Sequence, residues 1–244
     1  MRHIWTITKR ELAAYFATPV AFVFIAIFVA LTGALTFYIG RFFDRNQASL
    51  DLFFSYHTWL YLLLVPAVSM RLWAEERKSG TIEQLLTLPV TTTQAVLGKF
   101  VAAWLFCGIA LALTLPMWIS VAILGEPDNA AITVGYLGSF LMAGAFLSIG
   151  ICMSALTRNQ IIAFIAAAVV CFLFTISGFD LVLNAIRGWM PTAIVETIAS
   201  FSFMSRFQSM TRGVLELRDL IFMLSLTVFW LFATVIAVDA RKAV

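Results

Sequence analysis

Two histidines, three cysteines and one dense run of charge are the places where this sequence could do chemistry. His3 and His57 lie in different regions, so neither a paired-histidine haem site nor a His-rich metal centre can be assembled from them. His57 reads as structural or interfacial, because no nucleophile elbow accompanies it to make a Ser-His-Asp set. Cys107, Cys152 and Cys171 sit in apolar runs and form no Cys-x-x-Cys, which reads as buried thiols. No Gly-x-x-x-x-Gly-Lys-Ser/Thr loop is present, so the chain lacks the phosphate cradle of that ATPase type and is not read as an enzyme. The dense run is Glu75-Glu76-Arg77-Lys78-Ser79-Gly80-Thr81-Ile82-Glu83-Gln84-Leu85-Leu86-Thr87-Leu88-Pro89. Ser79-Gly80 breaks one helix, and Thr81 can cap a short second one. Ile82, Leu85 and Leu86 give that second helix an apolar face, and Pro89 ends it. An apolar edge on a charged elbow suits docking against another protein. The plainer alternative is a solvated loop with a capped turn.

The elements that carry this elbow follow from composition. Of 244 residues, 62% are hydrophobic and 12% charged, against about 45–50% and about 25% in soluble domains. A soluble fold of this size has too little interior to hide that much apolar surface. Lys, Arg, Asp and Glu are absent from 12–40, 52–70, 100–125, 129–157, 159–179 and 220–238. A bilayer core needs about 20 apolar residues of helix. Six transmembrane helices are therefore expected, at 20–40, 55–73, 100–124, 132–156, 161–178 and 220–238. The first starts too far into the chain and runs too long to read as a cleavable signal peptide.

Six spans place both termini on one side. That side takes ten of the basic residues and the opposite side six, which by the positive-inside rule makes it cytoplasmic. The basic balance is then a topology signal, and nucleic-acid binding is not expected. Apart from Arg71 at the edge of the second, the spans hold no Asp, Glu, Lys or Arg, which weakens the case for an ion-coupled carrier.

Three segments lie outside the spans. Residues 3–16 gather Ile4, Trp5, Thr8, Leu12, Tyr15 and Phe16 on one helical face, as an interfacial helix does. Residues 71–99 are the cytoplasmic elbow. Residues 179–219 are an external segment, interrupted at Arg187-Gly188-Trp189-Met190-Pro191, in which one or two short helices are expected. There Phe201, Phe203 and Phe207 read as interfacial anchors.

The run Glu75 to Pro89 resembles the elbow of permease subunits of ABC-2 type ATP-binding cassette transporters: paired Glu, a short basic stretch, Gly-Thr, then Leu-Leu and Pro. The likeness extends over nearly the whole chain and is greatest to the gliding-motility-associated permeases and the copper-processing permease of nitrous oxide reductase maturation. The resemblance implies a single all-α integral membrane domain of the ABC-2 (type V) exporter type, with an N-terminal amphipathic helix, six spans, a cytoplasmic coupling helix and short external helices before the last span. It implies an inner-membrane permease, paired with a second permease subunit as homodimer or heterodimer and surrounded by membrane lipids. Two cytoplasmic ATPase subunits would use ATP and Mg; no cofactor is expected on this chain, and an external accessory protein is a further partner it allows. By the same resemblance Gly80, Thr81, Ile82, Glu83, Leu85, Leu86 and Pro89 form the coupling helix that enters the ATPase. Glu75, Glu76, Arg77 and Lys78 position it by charge, and Arg10 and Glu11 add contacts. Two other classes compete with this reading. One is an integral-membrane enzyme, for which no converging polar groups are visible. The other is a non-transporting component that transmits ATPase motion to an external partner.

Overall fold

The computed structural model describes residues 2–45, 47–80 and 90–240. Among the described residues the secondary structure is helical throughout: twelve α-helices, a π-helical turn at Leu35–Ile39 that continues the second of them, and a 3-10 turn at Phe42–Arg45. α1 is Arg2–Phe16, α2 Pro19–Ala34, α3 Asp51–Ser69 and α4 Arg71–Ser79. α5 is Thr92–Ala112, α6 Pro116–Leu124, α7 Asn129–Leu156 and α8 Gln160–Ile176. α9 is Asp180–Arg187, α10 Thr192–Ser200, α11 Phe203–Thr211 and α12 Leu217–Ala240. The expected all-helical membrane class is what the chain adopts.

Five helical stretches are long and apolar enough to cross a membrane: Pro19–Ile39, Asp51–Ser79, Thr92–Leu124, Asn129–Leu156 and Leu217–Ala240. A sixth arises if Gln160–Ile176 and Asp180–Arg187 are one span bent by 77°. The third stretch is not one smooth helix. Pro116 has no N–H to give, and the backbone at Leu113–Leu115 tightens into i→i+3 bonds, Thr114 to Leu111 at 3.0 Å and Leu115 to Ala112 at 3.1 Å. α5 therefore ends at Ala112 and α6 restarts at Pro116.

α7 is the hub. Within its most apolar window 78% of residues are buried in the chain, against 22% for α2 and 28% for the last span. α3, α5, α8, α11 and α12 all pack on it. Small residues permit this closeness: Ala163 and Ala167 of α8 and Ser148 of α7 are fully buried. α2 and α12 leave most of their apolar surface outward, where lipid would meet it.

Polar contacts sort the helix ends into two groups. At one end Glu11, Lys99 and Glu76 meet, Ser154 meets Met70, and Thr92 meets Asp239. The N-terminal helix and the end of the last helix thus share that end. The other end holds the helices α9, α10 and α11, three where one or two were expected. The stretch 192–205 divides at Phe201–Ser202 because Ser202 Oγ accepts from Ser205 N at 3.3 Å and starts α11. The same hydroxyl donates to Thr175 O at 3.2 Å, tying α11 to α8. Phe203 and Phe207 are 0% and 2% exposed, so they are core residues and not interfacial anchors. Phe203 stacks on Phe146 of α7 at 4.5 Å; only Phe201 remains outward. Arg206 and Asp219 close this end with an ion pair of 3.1 Å. Ser209 Oγ adds a 2.6 Å bond to the same carboxylate.

His57 lies in the interior of α3, as a structural residue would. Its Nδ1 is 2.9 Å from Ser139 Oγ of α7, and Phe28, Phe53, Phe54 and Tyr61 surround the ring.

Candidate functional site

The charged elbow begins where α3 turns into α4. α4 has no side chain of its own to cap its first turn. A serine from α7 does that work in trans. Ser154 Oγ accepts from Trp73 N and Ala74 N, both at 3.1 Å, and donates to Met70 O at 2.8 Å. Two backbone donors that a helix start leaves orphaned are thereby satisfied. Arg77, one turn further on, donates to Ala155 O at 2.5 Å. α4 is thus fixed to the end of the hub helix at both of its turns.

Beneath α4 a buried cation joins three elements. Lys99, in the second turn of α5, has a side chain only 2% exposed. Its Nζ is 2.6 Å from Glu76 Oε1 of α4 and 3.2 Å from Glu11 Oε1 of α1. The ammonium also sits 5.4 Å from the centre of the buried Trp73 ring. A buried ammonium costs several kcal/mol in lost hydration unless it is paired and hydrogen-bonded; two carboxylates and an indole face meet that requirement. Burial pushes the Glu11 carboxyl up, but the Lys99 ammonium and the Arg10 guanidinium, 2.9 Å from it, outweigh that and hold it below the ordinary carboxylate value.

α1 reaches this site because it packs on α5 along its length. Thr8 is buried and donates to Ile4 O at 2.9 Å and to Gly98 O at 3.2 Å. Gly98 is there because α1 passes so close: a Cβ on it would lie 2.7 Å from Ile7 Cγ2. Tyr15 OH donates to Val68 O at 3.2 Å, and the ring stacks on Phe106 of α5. Of the expected apolar face of residues 3–16, Thr8 and Tyr15 are buried in the protein, whereas Trp5 is exposed beside Lys9.

The charged run therefore splits by direction. Glu76 and Arg77 have partners within the chain, and so does Glu11. Glu75, Lys78 and Arg10 are outward. Gly80 ends α4 in the left-handed conformation, φ 74°, which favours glycine. Thr81, Ile82, Glu83, Leu85, Leu86 and Pro89 lie outside the described residues. α5 starts with a reciprocal cap between Thr91 and Gln94, and Thr92 Oγ1 donates to Asp239 Oδ1 of α12 at 2.7 Å. Lys99 and Ser154 were not among the residues that sequence reasoning assigned to the site. Lys99 carried a signal: it is a single cation directly before 26 charge-free residues (100–125) and downstream of paired glutamates. Ser154 carried none.

A model of the family described as "ABC-2 family transporter protein" matches residues 8–178. The chain is similar to the probable multidrug ABC transporter permease YbhS of Escherichia coli K12, at 33% identity over 139 residues, 56% of this chain and 36% of that protein. It is similar also to the inner membrane transport permease YhhJ of Escherichia coli K12, at 30% identity over 103 residues, 42% of this chain and 26% of that protein. The matched regions thus span only about a third or less of these curated relatives.

Proposed function

This chain belongs to the ABC-2 family of transporter proteins, and on that premise we propose that it is the permease subunit of an ATP-driven exporter. It lies in the inner membrane with the α1 and α4 end in the cytoplasm. It forms the membrane pathway with a second permease subunit. Two separate ATPase subunits, using ATP and Mg, bind beneath the elbow at 71–99. Thr81, Ile82, Leu85 and Leu86 enter the ATPase, and the outward charges of Lys78 and Arg10 face it.

The observation that carries this reading is the Lys99 bridge. Motion delivered to the elbow cannot stay local, because α4 shares a buried cation with α1 and α5 and is held on α7 by Ser154 and Ala155. α7 is the helix on which most other spans pack, so a displaced elbow repacks the bundle. Packed helices respond to such a displacement as rigid bodies with alternative arrangements rather than by continuous bending. Glu76, Arg77 and Glu11 stiffen this lever instead of touching the ATPase.

The test is purification of the native complex in nanodiscs, with intact mass and ATP turnover read on one sample. Two permeases with two ATPase subunits are expected, and Leu85→Glu and Lys78→Glu should each release the ATPase while the permease stays folded. A chain that purifies with no ATP-binding partner and is indifferent to Leu85→Glu would overturn the proposal.

A further inference from the structure

Between α1 and α4 lies an open cleft of about 290 Å³. Its floor is electrostatically closed: Lys99 is held by Glu11 and Glu76, and Arg10 sits on Glu11. Two cations meet two carboxylates there. The rim is different. Arg71 and Glu75 stand one turn apart on α4 with Nε and Oε2 at 4.0 Å, beyond hydrogen-bond reach. Among the described residues neither side chain makes a hydrogen bond to another group of the chain, and their side chains are 28% and 59% exposed. The opposite wall is small, built by Ala14 and Thr18 of the α1 segment.

The depth of the cleft is set by sequence. Thr18 directly precedes Pro19, where the first span begins, and Arg71 opens α4, the charged last part of the second stretch, just past the end of α3 at Ser69. The rim therefore lies at the level of the phospholipid headgroups. Just past Thr18 the first turns of α2 turn Val20, Phe22 and Val23 outward, an apolar surface for acyl chains.

We propose that this cleft binds the headgroup of an aminophospholipid of the cytoplasmic leaflet, a phosphodiester carrying a primary ammonium as in phosphatidylethanolamine. The spaced guanidinium and carboxylate fit both charges of that headgroup at once: phosphate on Arg71, ammonium on Glu75. Guanidinium and phosphate form charge-assisted, two-pronged hydrogen bonds. A choline headgroup carries a methylated ammonium that cannot donate to Glu75. A glycerol headgroup carries no ammonium and leaves Glu75 beside an anion. The site is a fixed lipid contact at the lever, independent of whatever solute crosses the bundle.

The experiment uses the chain alone, without ATPase, so its result is independent of the coupling proposal. The chain is purified in mild detergent, given equal amounts of phosphatidylethanolamine, phosphatidylcholine and phosphatidylglycerol, and retained lipid is read by native mass spectrometry. Phosphatidylethanolamine should exceed the other two by about tenfold, the worth of one charge-assisted bond. Arg71→Gln should lower retention of all three lipids, whose phosphate it would hold, and the cleft-filling Ala14→Phe should remove the preference. Glu75→Gln, on the exposed rim where folding is not at stake, should reduce the preference over phosphatidylcholine. Equal retention of all three lipids by the unaltered chain overturns the proposal. So does a preference undiminished by Glu75→Gln, or retention undiminished by Arg71→Gln. Displacement of the lipid by an equal concentration of soluble glycerophosphoethanolamine overturns the lipid as the ligand, since the acyl chains would then contribute nothing.

Discussion

Lys99 is the most constrained side chain at the elbow, and its removal should be costly in a specific way. Lys99→Met fills the volume but leaves Glu11 and Glu76 facing each other without their shared cation. Breaking one side of a buried ion pair costs about 3–5 kcal/mol, so a clear fall in thermal midpoint is expected in detergent or nanodisc. A double-mutant cycle identifies the cause. Glu76→Gln should destabilise the native chain but cost little in the Lys99→Met background, because the pair it would break is already gone. The same cluster sets a pH response. The folded-state pKa of Glu11 is depressed below its ordinary 4.5. Its contribution is therefore complete above that value and is lost as pH falls through the lower native value. Melting measured from pH 7 down to pH 3 should show a component that erodes only below about 4.5, and Glu11→Gln should remove that component while lowering stability at pH 7.

At the scale of elements, the docking of α1 on α5 depends on one close approach. Gly98→Ala places a Cβ 2.7 Å and 2.8 Å from two atoms of Ile7 and 3.3 Å from Ile4 O. Ile7 cannot clear it without moving the α1 backbone, at a cost of about 1–3 kcal/mol. Hydrogen exchange should then accelerate across Arg2–Phe16 with α7 unchanged; an unaltered α1 would mean the helix is held elsewhere. The sequence made the elements visible because lipid demands long charge-free runs, and five of the six expected spans appear as helices that pass the length requirement alone. The breaks were less visible. Pro116 sat in an apolar run long enough to read as one helix, and the apolar spacing across 192–205 hid the cap that Ser202 supplies. At the elbow the charged run marked where a second short helix, α4, follows the second span. What it could not mark was direction, since Glu75 and Glu76 are chemically identical and only the position of Lys99 turns one inward and leaves the other out. Phe203 and Phe207 were misread for the same reason: an aromatic beside a membrane looks alike whether it faces lipid or α7.

Across the whole molecule, each end is closed by its own buried charge cluster, and the two should be separable. Asp219 is 2% exposed and accepts from both Arg206 and Ser209. Asp219→Asn leaves the Arg206 guanidinium, 13% exposed, without its counter-charge. Limited proteolysis should then cut sooner within 180–216, by about tenfold or more if the loss exceeds about 1.4 kcal/mol, while fragments from the α1 and α4 end are unchanged. A simultaneous loosening of both ends would mean that the bundle behaves as a single cooperative block. The cap that Ser154 gives α4 bears also on how the chain is made. Synthesis runs from the N-terminus, so Arg71–Ser79 is complete long before residue 154 leaves the ribosome. Until then the first turn of α4 lacks its side-chain cap and Arg77 lacks the Ala155 carbonyl. A nascent chain with three spans inserted thus carries an unfinished elbow, and on the proposed coupling that elbow becomes a competent landing place only after the fourth span has arrived. If the proposed coupling holds, chain order alone would delay recruitment of the ATPase to a half-built subunit.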